Sequence, residues 1–278
     1  MRAFLIAAVF FFTNSTQAQF YYKDIIGTKE SSGTLRNYMN SKVTRVVLTS
    51  FDKDGQKDAD FYVMQEFAPA TRTLKTISRS GSSRENYFFS IADAQGNVIR
   101  TIDSSSVIVT ETQYYYNGSG QLMRVVSASS DSAKTSSEVE EHIWTWSNGK
   151  PSGMRRIKNK ADTSFVNFKL DENGNVIEEQ ETRKKTSSFP FLYYYNGDNR
   201  LSDIVRFNPR AGLLLPEYMF EYSASGDIIQ KITVPSNNSE YLIWRYQFNN
   251  QGLKVKEAVY DKQKRLLGKI EYQYSFGS

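Results

Sequence analysis

The string YYYNGSGQL runs from Tyr114 to Leu122, and YYYNGDNRL runs from Tyr193 to Leu201, 79 positions later. A chain that repeats nine letters so closely must build the same local structure more than once, so the repeat has to be mapped before any motif is interpreted. The shared pattern is an aromatic residue, a short polar turn, usually with Gly or Asn at its fourth place, and an aliphatic residue two further on. It recurs in FSIADAQGNV (Phe89 to Val98), WTWSNGKP (Trp144 to Pro151), FKLDENGNV (Phe168 to Val176), FEYSASGDI (Phe220 to Ile228) and YQFNNQGLK (Tyr246 to Lys254). The turn positions Gly96, Gly120, Gly149, Gly174, Asn199, Gly226 and Gly252 are 24, 29, 25, 25, 27 and 26 residues apart. SFDKDGQK (Ser50 to Lys57) reads as an earlier, degenerate copy.

Each unit reads as a β-hairpin, because Asn-Gly and Asp-x-x-Gly supply the positive φ of tight reversals. Halfway between the tight turns lies a looser set of connections: SSDSAKTSS (Ser129 to Ser137), KNKAD (Lys158 to Asp162), RKKTSS (Arg183 to Ser188), NPRAG (Asn208 to Gly212), PSNNS (Pro235 to Ser239) and DKQKR (Asp261 to Arg265). Two turns per unit leave about eight residues per strand, near the usual length. The expected fold is all-β: an antiparallel meander of repeated hairpins with a period of about 24–29, clearest over residues 89–275. Gly120 and Gly174 are expected to need positive φ, and Gly212, on the loose edge, to be less constrained.

Alternation identifies the buried face. Counting back by twos from each tight turn gives Tyr116 and Tyr114, Trp146 and Trp144, Leu170 and Phe168, Tyr195 and Tyr193, Tyr222 and Phe220, and Phe248 and Tyr246. The residues between them are mostly polar. A flat sheet would leave this ladder of rings wet, so the sheet must curl on itself or fold into two packed layers. A curled open sheet and a closed barrel both satisfy the pattern.

The first residues point to export. MRAFLIAAVFFFTNSTQAQ has a basic start at Arg2, a short apolar run, and Thr16-Gln17-Ala18, whose small residues suit signal peptidase cleavage after Ala18. Residues 1–18 are expected to be a signal peptide and 19–278 a single repeat domain, periplasmic, at the cell surface or secreted. The apolar run is about half of the roughly 20 residues of a membrane-spanning helix, and no later segment is apolar enough for one. The chain has no cysteine, which excludes disulfides and a lipid-modified N-terminal cysteine. Losing Arg2 takes the formal charge from +5 to +4, with both signs interspersed, so nucleic acid is not an expected partner.

The repeated unit resembles the YD repeat of bacterial RHS-type cell-surface proteins over most of the chain from about Phe89 onward. Tyr260-Asp261 followed by Arg265-Leu266 is the nearest match to that wording, and elsewhere Tyr-Asn or Phe-Asn stands in for Tyr-Asp. The resemblance implies a hairpin scaffold at the cell envelope that wraps or contacts another molecule, without catalytic residues in the repeats. The chain departs from the family in being short, without a self-cleaving core motif or a C-terminal toxin region.

Residues that could carry chemistry are few. The one histidine, His142, falls by alternation on the aromatic face, where packing is the simpler reading than general-base catalysis. Asp52, Asp54, Asp58 and Asp60 surround Gly55, but the glycine is two places early for an EF-hand and the stretch coincides with a repeat turn. Asp171, Glu172, Glu178 and Glu179 likewise lie in register with the repeat. No cofactor and no metal site is expected, and no pair of carboxylates is singled out for a hydrolase. One grouping stands out: Lys158, Lys160, Arg183, Lys184, Lys185, Arg210, Lys262, Lys264 and Arg265 all fall in loose connections, which a meander brings to one edge. Such a basic rim suits an anionic envelope polymer, a lipid head group or a protein partner; its simpler reading is a solubilising edge. The expectation is a non-enzymatic envelope interaction module. A periplasmic carrier of lipid or lipoprotein, its aromatic face lining a pocket, is the alternative.

Overall fold

A computed structural model describes residues 20–104, 107–131, 133, 135–209, 211–235 and 240–277; the expected signal peptide and Arg210 lie outside these. One helix, α1 (Lys23–Asn40), precedes nineteen strands: β1 (Val43–Asp52), β2 (Phe61–Ala68), β3 (Thr73–Ser80), β4 (Asn86–Ala92), β5 (Val98–Ser104), β6 (Ile108–Tyr116), β7 (Leu122–Asp131), β8 (Ser137–Ser147), β9 (Lys150–Lys158), β10 (Asp162–Leu170), β11 (Val176–Arg183), β12 (Thr186–Ser187), β13 (Phe191–Tyr195), β14 (Leu201–Asn208), β15 (Leu213–Tyr222), β16 (Ile228–Thr233), β17 (Leu242–Phe248), β18 (Lys254–Tyr260) and β19 (Leu266–Phe276). Apart from β12, each strand pairs antiparallel with the next, and β1 pairs with β19, setting Val46 opposite Tyr274 and Leu48 opposite Tyr272. The two-residue β12 is a spur on β11, which also pairs with β13. Eighteen strands therefore close a barrel, and closure removes the edges an open sheet would expose.

The repeated string owes its wording to three local devices. In the turn after Tyr116, Asn117 Oδ1 accepts the N–H of Ser119 (3.0 Å) and of Gln121 (3.0 Å), and Asp93, Asn196 and Asn249 do the same in their turns. A β-bulge sits just before each tight turn, for example between Tyr115 and Tyr116 and between Tyr194 and Tyr195. The bulged ring then hooks back: Tyr116 Oη donates to the Val98 carbonyl (2.9 Å), Trp146 Nε1 to Leu122 (2.9 Å), Tyr195 Oη to Val176 (2.8 Å) and Tyr222 Oη to Leu201 (2.7 Å). Each aromatic residue is thus tied to the aliphatic residue that follows the preceding tight turn. Leu170 has no group to donate, and it lies exposed beyond its bulge.

The turns after β1 and β18 share this geometry although they lie at the opposite mouth, with Asp52 and Asp261 accepting the same pairs of N–H groups. Gly212 was expected to be less constrained, yet its φ is +66°, beside +75° at Gly120 and +78° at Gly174. Valine at any of the three should therefore destabilise by about 1 kcal/mol or more, measured by urea unfolding. A neutral result at Gly120 would overturn the assignment of strain there.

The helix differs from the all-strand pattern that the sequence predicts. It lies across the tight-turn mouth, about 27 Å long at 1.5 Å per residue, and touches opposite walls. At its C-terminal end Leu35 and Tyr38 pack with Val43, Val46, Val63 and Leu253. At the other end Tyr21, just before the helix, packs with Leu122, Trp144, Met154 and Val166, and Phe20 with Phe191, Tyr193 and Ile204. Thr28, Ser32, Leu35 and Tyr38 form the buried stripe, while Ser31, Thr34, Asn37 and Asn40 are exposed. An eighteen-stranded barrel is wide enough to leave a channel; here the aromatic ladder closes on α1 instead. The outer face carries ion pairs, the cross-strand Arg100–Glu111, Arg124–Glu141 and Lys169–Glu178 and, along β19, Lys269–Glu271. Such charges would be costly against lipid tails, so this outer wall does not form a lipid-facing apolar band.

Candidate functional site

Two charged regions could do chemistry or binding: a cluster where α1 meets the wall, and the basic mouth. In the first, Asp24 stands in the first turn of α1 and His142 on the inner face of β8. His142 Nδ1 lies 2.6 Å from Asp24 Oδ2, and its Nε2 lies 2.9 Å from Glu140 Oε1. Arg156, across the ladder from His142, donates to Glu140 Oε2 (2.5 Å). Burial disfavours the imidazolium, but the Asp24 charge and the bonds to both carboxylates outweigh it and raise the His142 pKa to about 9. Burial also pushes the Glu140 carboxyl up, yet hydrogen bonds from His142 and Arg156 win and carry it down to about 2.

A histidine held as a cation between two carboxylates cannot accept a proton at neutral pH, so the arrangement does not provide a general base. The packing expected at His142 is present, with Tyr21 edge-on at 5.3 Å, and to it is added an ion-paired clamp on the helix. Deeper along the wall, Glu179 accepts the N–H of Tyr21 (2.6 Å) and Tyr22 (2.9 Å) and the Tyr193 hydroxyl (2.6 Å). Glu179 thus caps the start of α1 from another strand. Among the described residues no group of His, Asp and Glu could hold a metal ion. Asp52 and Asp171 act as turn acceptors.

The described basic residues of the loose connections divide by partner. Lys158 pairs with Glu138 (2.7 Å), Arg183 with Asp162 (2.5 Å), Lys262 with Glu240 (2.6 Å) and Arg265 with Asp261 (2.6 Å). Lys160, Lys184, Lys185 and Lys264 are exposed and form no ion pair with a described residue. These four also share a backbone feature invisible in the composition: φ is +60°, +47°, +67° and +61°. Left-handed backbone is costly for a side chain other than Gly, Asn or Asp. At the other mouth, cations bridge neighbouring turns instead, Lys150 donating to the Asn173 carbonyl and Arg200 to Ser223, while Arg36 of α1 donates to the Gly96 carbonyl. Two open clefts of about 440 and 460 Å³ lie between adjacent tight turns there.

No family model matches the chain, and no curated protein matches it. Solved structures resemble it only distantly. A porin-like protein from Bacteroides uniformis is 9% identical with a TM-score of 0.37, covering 84% of this chain and 98% of that one. The Tc holotoxin pore of Photorhabdus luminescens is 9% identical with a TM-score of 0.31 over 82% of this chain, and a TcdB2–TccC3–Cdc42 structure is 12% identical with a TM-score of 0.32 over 82%. The chain spans 15% and 16% of the length of those two. Likenesses this distant carry no functional argument.

Proposed function

We propose that this protein is an exported, non-enzymatic interaction module of the cell envelope, built of YD-like hairpin repeats, that holds an anionic envelope component at its basic mouth. The observation that carries the reading is the set of four lysines, exposed, free of ion pairs with described residues, and held in a backbone conformation that favours other residues. The carrier reading has less support, because the rings that would line its pocket pack against α1.

The test is co-sedimentation of the purified protein with isolated envelope fragments. Charge reversal at Lys160, Lys184, Lys185 and Lys264 should abolish sedimentation and leave Tm nearly unchanged, because exposed charges contribute little to folding. Lys158 is spared, since reversing it would set two acids together with Glu138. Binding of the native protein should weaken as salt shortens the Debye length below about 10 Å. Glu172→Lys, at the other mouth, is the control and should not weaken binding. If the reversed protein sediments as well as the native one, the mouth is only a solubilising edge.

A further inference from the structure

The lysine turns stand beside exposed apolar side chains, and we infer from this juxtaposition that the β10–β15 sector of the basic mouth docks on an anionic lipid surface. The inference rests on the reading of that mouth as an anion-binding one. Arg183 bridges to Asp162 and so ties the turn bearing Lys160 to the turn bearing Lys184 and Lys185. Phe189 follows the second turn at 59% exposure, and its ring lies 4.4 Å from that of Phe207. Leu214, 50% exposed, stands opposite Phe207 in the β14–β15 ladder, and Leu213, 60% exposed, begins that strand.

Among the described residues of these three connections Asp162 is the one carboxylate, and Arg183 neutralises it. A soluble anionic polymer would be held by the lysines but would gain little from Phe189 and Leu214. A bilayer surface uses both, its head groups meeting the cations while apolar side chains enter the interface.

The turn itself bears on the same point. Lys184 and Lys185 occupy both central places of a two-residue hairpin turn with φ +47° and +67°, as Asn148 and Gly149 do with +49° and +77°. Asn-Gly is the favoured pair in this geometry, so lysine there sacrifices local stability for two projecting cations.

The test is flotation of the purified protein with vesicles of phosphatidylcholine alone or mixed with phosphatidylglycerol, beside retention on immobilised polyglutamate. Flotation with the mixed vesicles only is expected. Lys184→Asn with Lys185→Gly should raise Tm yet lower partitioning about fivefold for each lysine removed. Phe189→Ser with Leu214→Ser should lower vesicle partitioning severalfold and leave polyglutamate retention unchanged. If the Phe189/Leu214 variant partitions like the native protein, lipid docking is overturned while anion binding stands. If the native protein binds neither mixed vesicles nor polyglutamate, both readings fall, and equal flotation with neutral vesicles overturns the role of the lysines.

Discussion

Alanine at position 179 should lower the unfolding free energy by about 3 kcal/mol, because three donors, two buried and one partly buried, would lose their acceptor at a cost of about 1–3 kcal/mol for each buried one. Those donors are the N–H groups of Tyr21 and Tyr22 and the Tyr193 hydroxyl, all on one carboxylate that is itself buried. Glutamine keeps one acceptor, so Glu179→Gln should be the milder change. The two variants also separate by pH. Burial raises the Glu179 pKa, only partly offset by the bonds from Tyr193, Tyr21 and Tyr22, to about 7. A raised carboxyl pKa means the folded state holds its proton more tightly than the unfolded one. The associated stability is complete below the ordinary value of 4.5 and is lost as pH rises through about 7. Glutamine does not titrate, so the gap between native protein and Glu179→Gln should narrow across that window, as read by urea unfolding. A gap that widens with pH would show that Glu179 caps α1 best as an anion.

The hairpins were legible because their determinants are local. Asn117 or Asp93 fixes a turn within four residues of itself, and alternation around Trp144 and Trp146 or Tyr193 and Tyr195 picks out the inner face without reference to the rest of the chain. Closure was not legible, since it depends on β1 meeting β19, and nothing in Val43–Asp52 names a partner more than two hundred residues away. Helix α1 was hidden for a different reason. A surface helix advertises itself by an apolar stripe, but the buried stripe here includes Thr28 and Ser32. The Ser32 hydroxyl accepts the Val98 N–H (3.0 Å), so the wall is met by a polar contact as well as by apolar side chains. The basic mouth was visible as a recurrence of Lys and Arg, yet only the structure, through ion pairs and backbone φ, separates the paired members from Lys160, Lys184, Lys185 and Lys264. The signal was present in KNKAD and RKKTSS, where lysine stands at turn centres that ordinarily take Asn or Gly.

Replacing His142 with alanine should destabilise the barrel by about 3–5 kcal/mol, the usual cost of leaving a buried charge without its partner. Arg156 would still hold Glu140, but of the hydrogen bonds from described side chains to the Asp24 carboxylate the long one from Trp144 Nε1 at 3.4 Å would remain. The loss therefore falls on the first turn of α1, and the helix end should open before the hairpins do. Its pH dependence has a definite sign. The folded pKa of about 9 exceeds the ordinary 6.5, so the histidine's contribution is complete below 6.5 and disappears as pH rises through 9. Glu140 works in the other direction: its pKa of about 2 makes its contribution complete above 4.5 and lost as pH falls through 2. Native stability should thus peak between these losses, in mildly acidic solution, and the alanine variant should lack the part of the decline that runs from 6.5 to 9. The chain contains a single histidine, so its ring proton resonance can be followed by NMR without assignment. A midpoint near 9 is expected, and one near 6.5 would mean that the clamp between Asp24 and Glu140 does not form in solution.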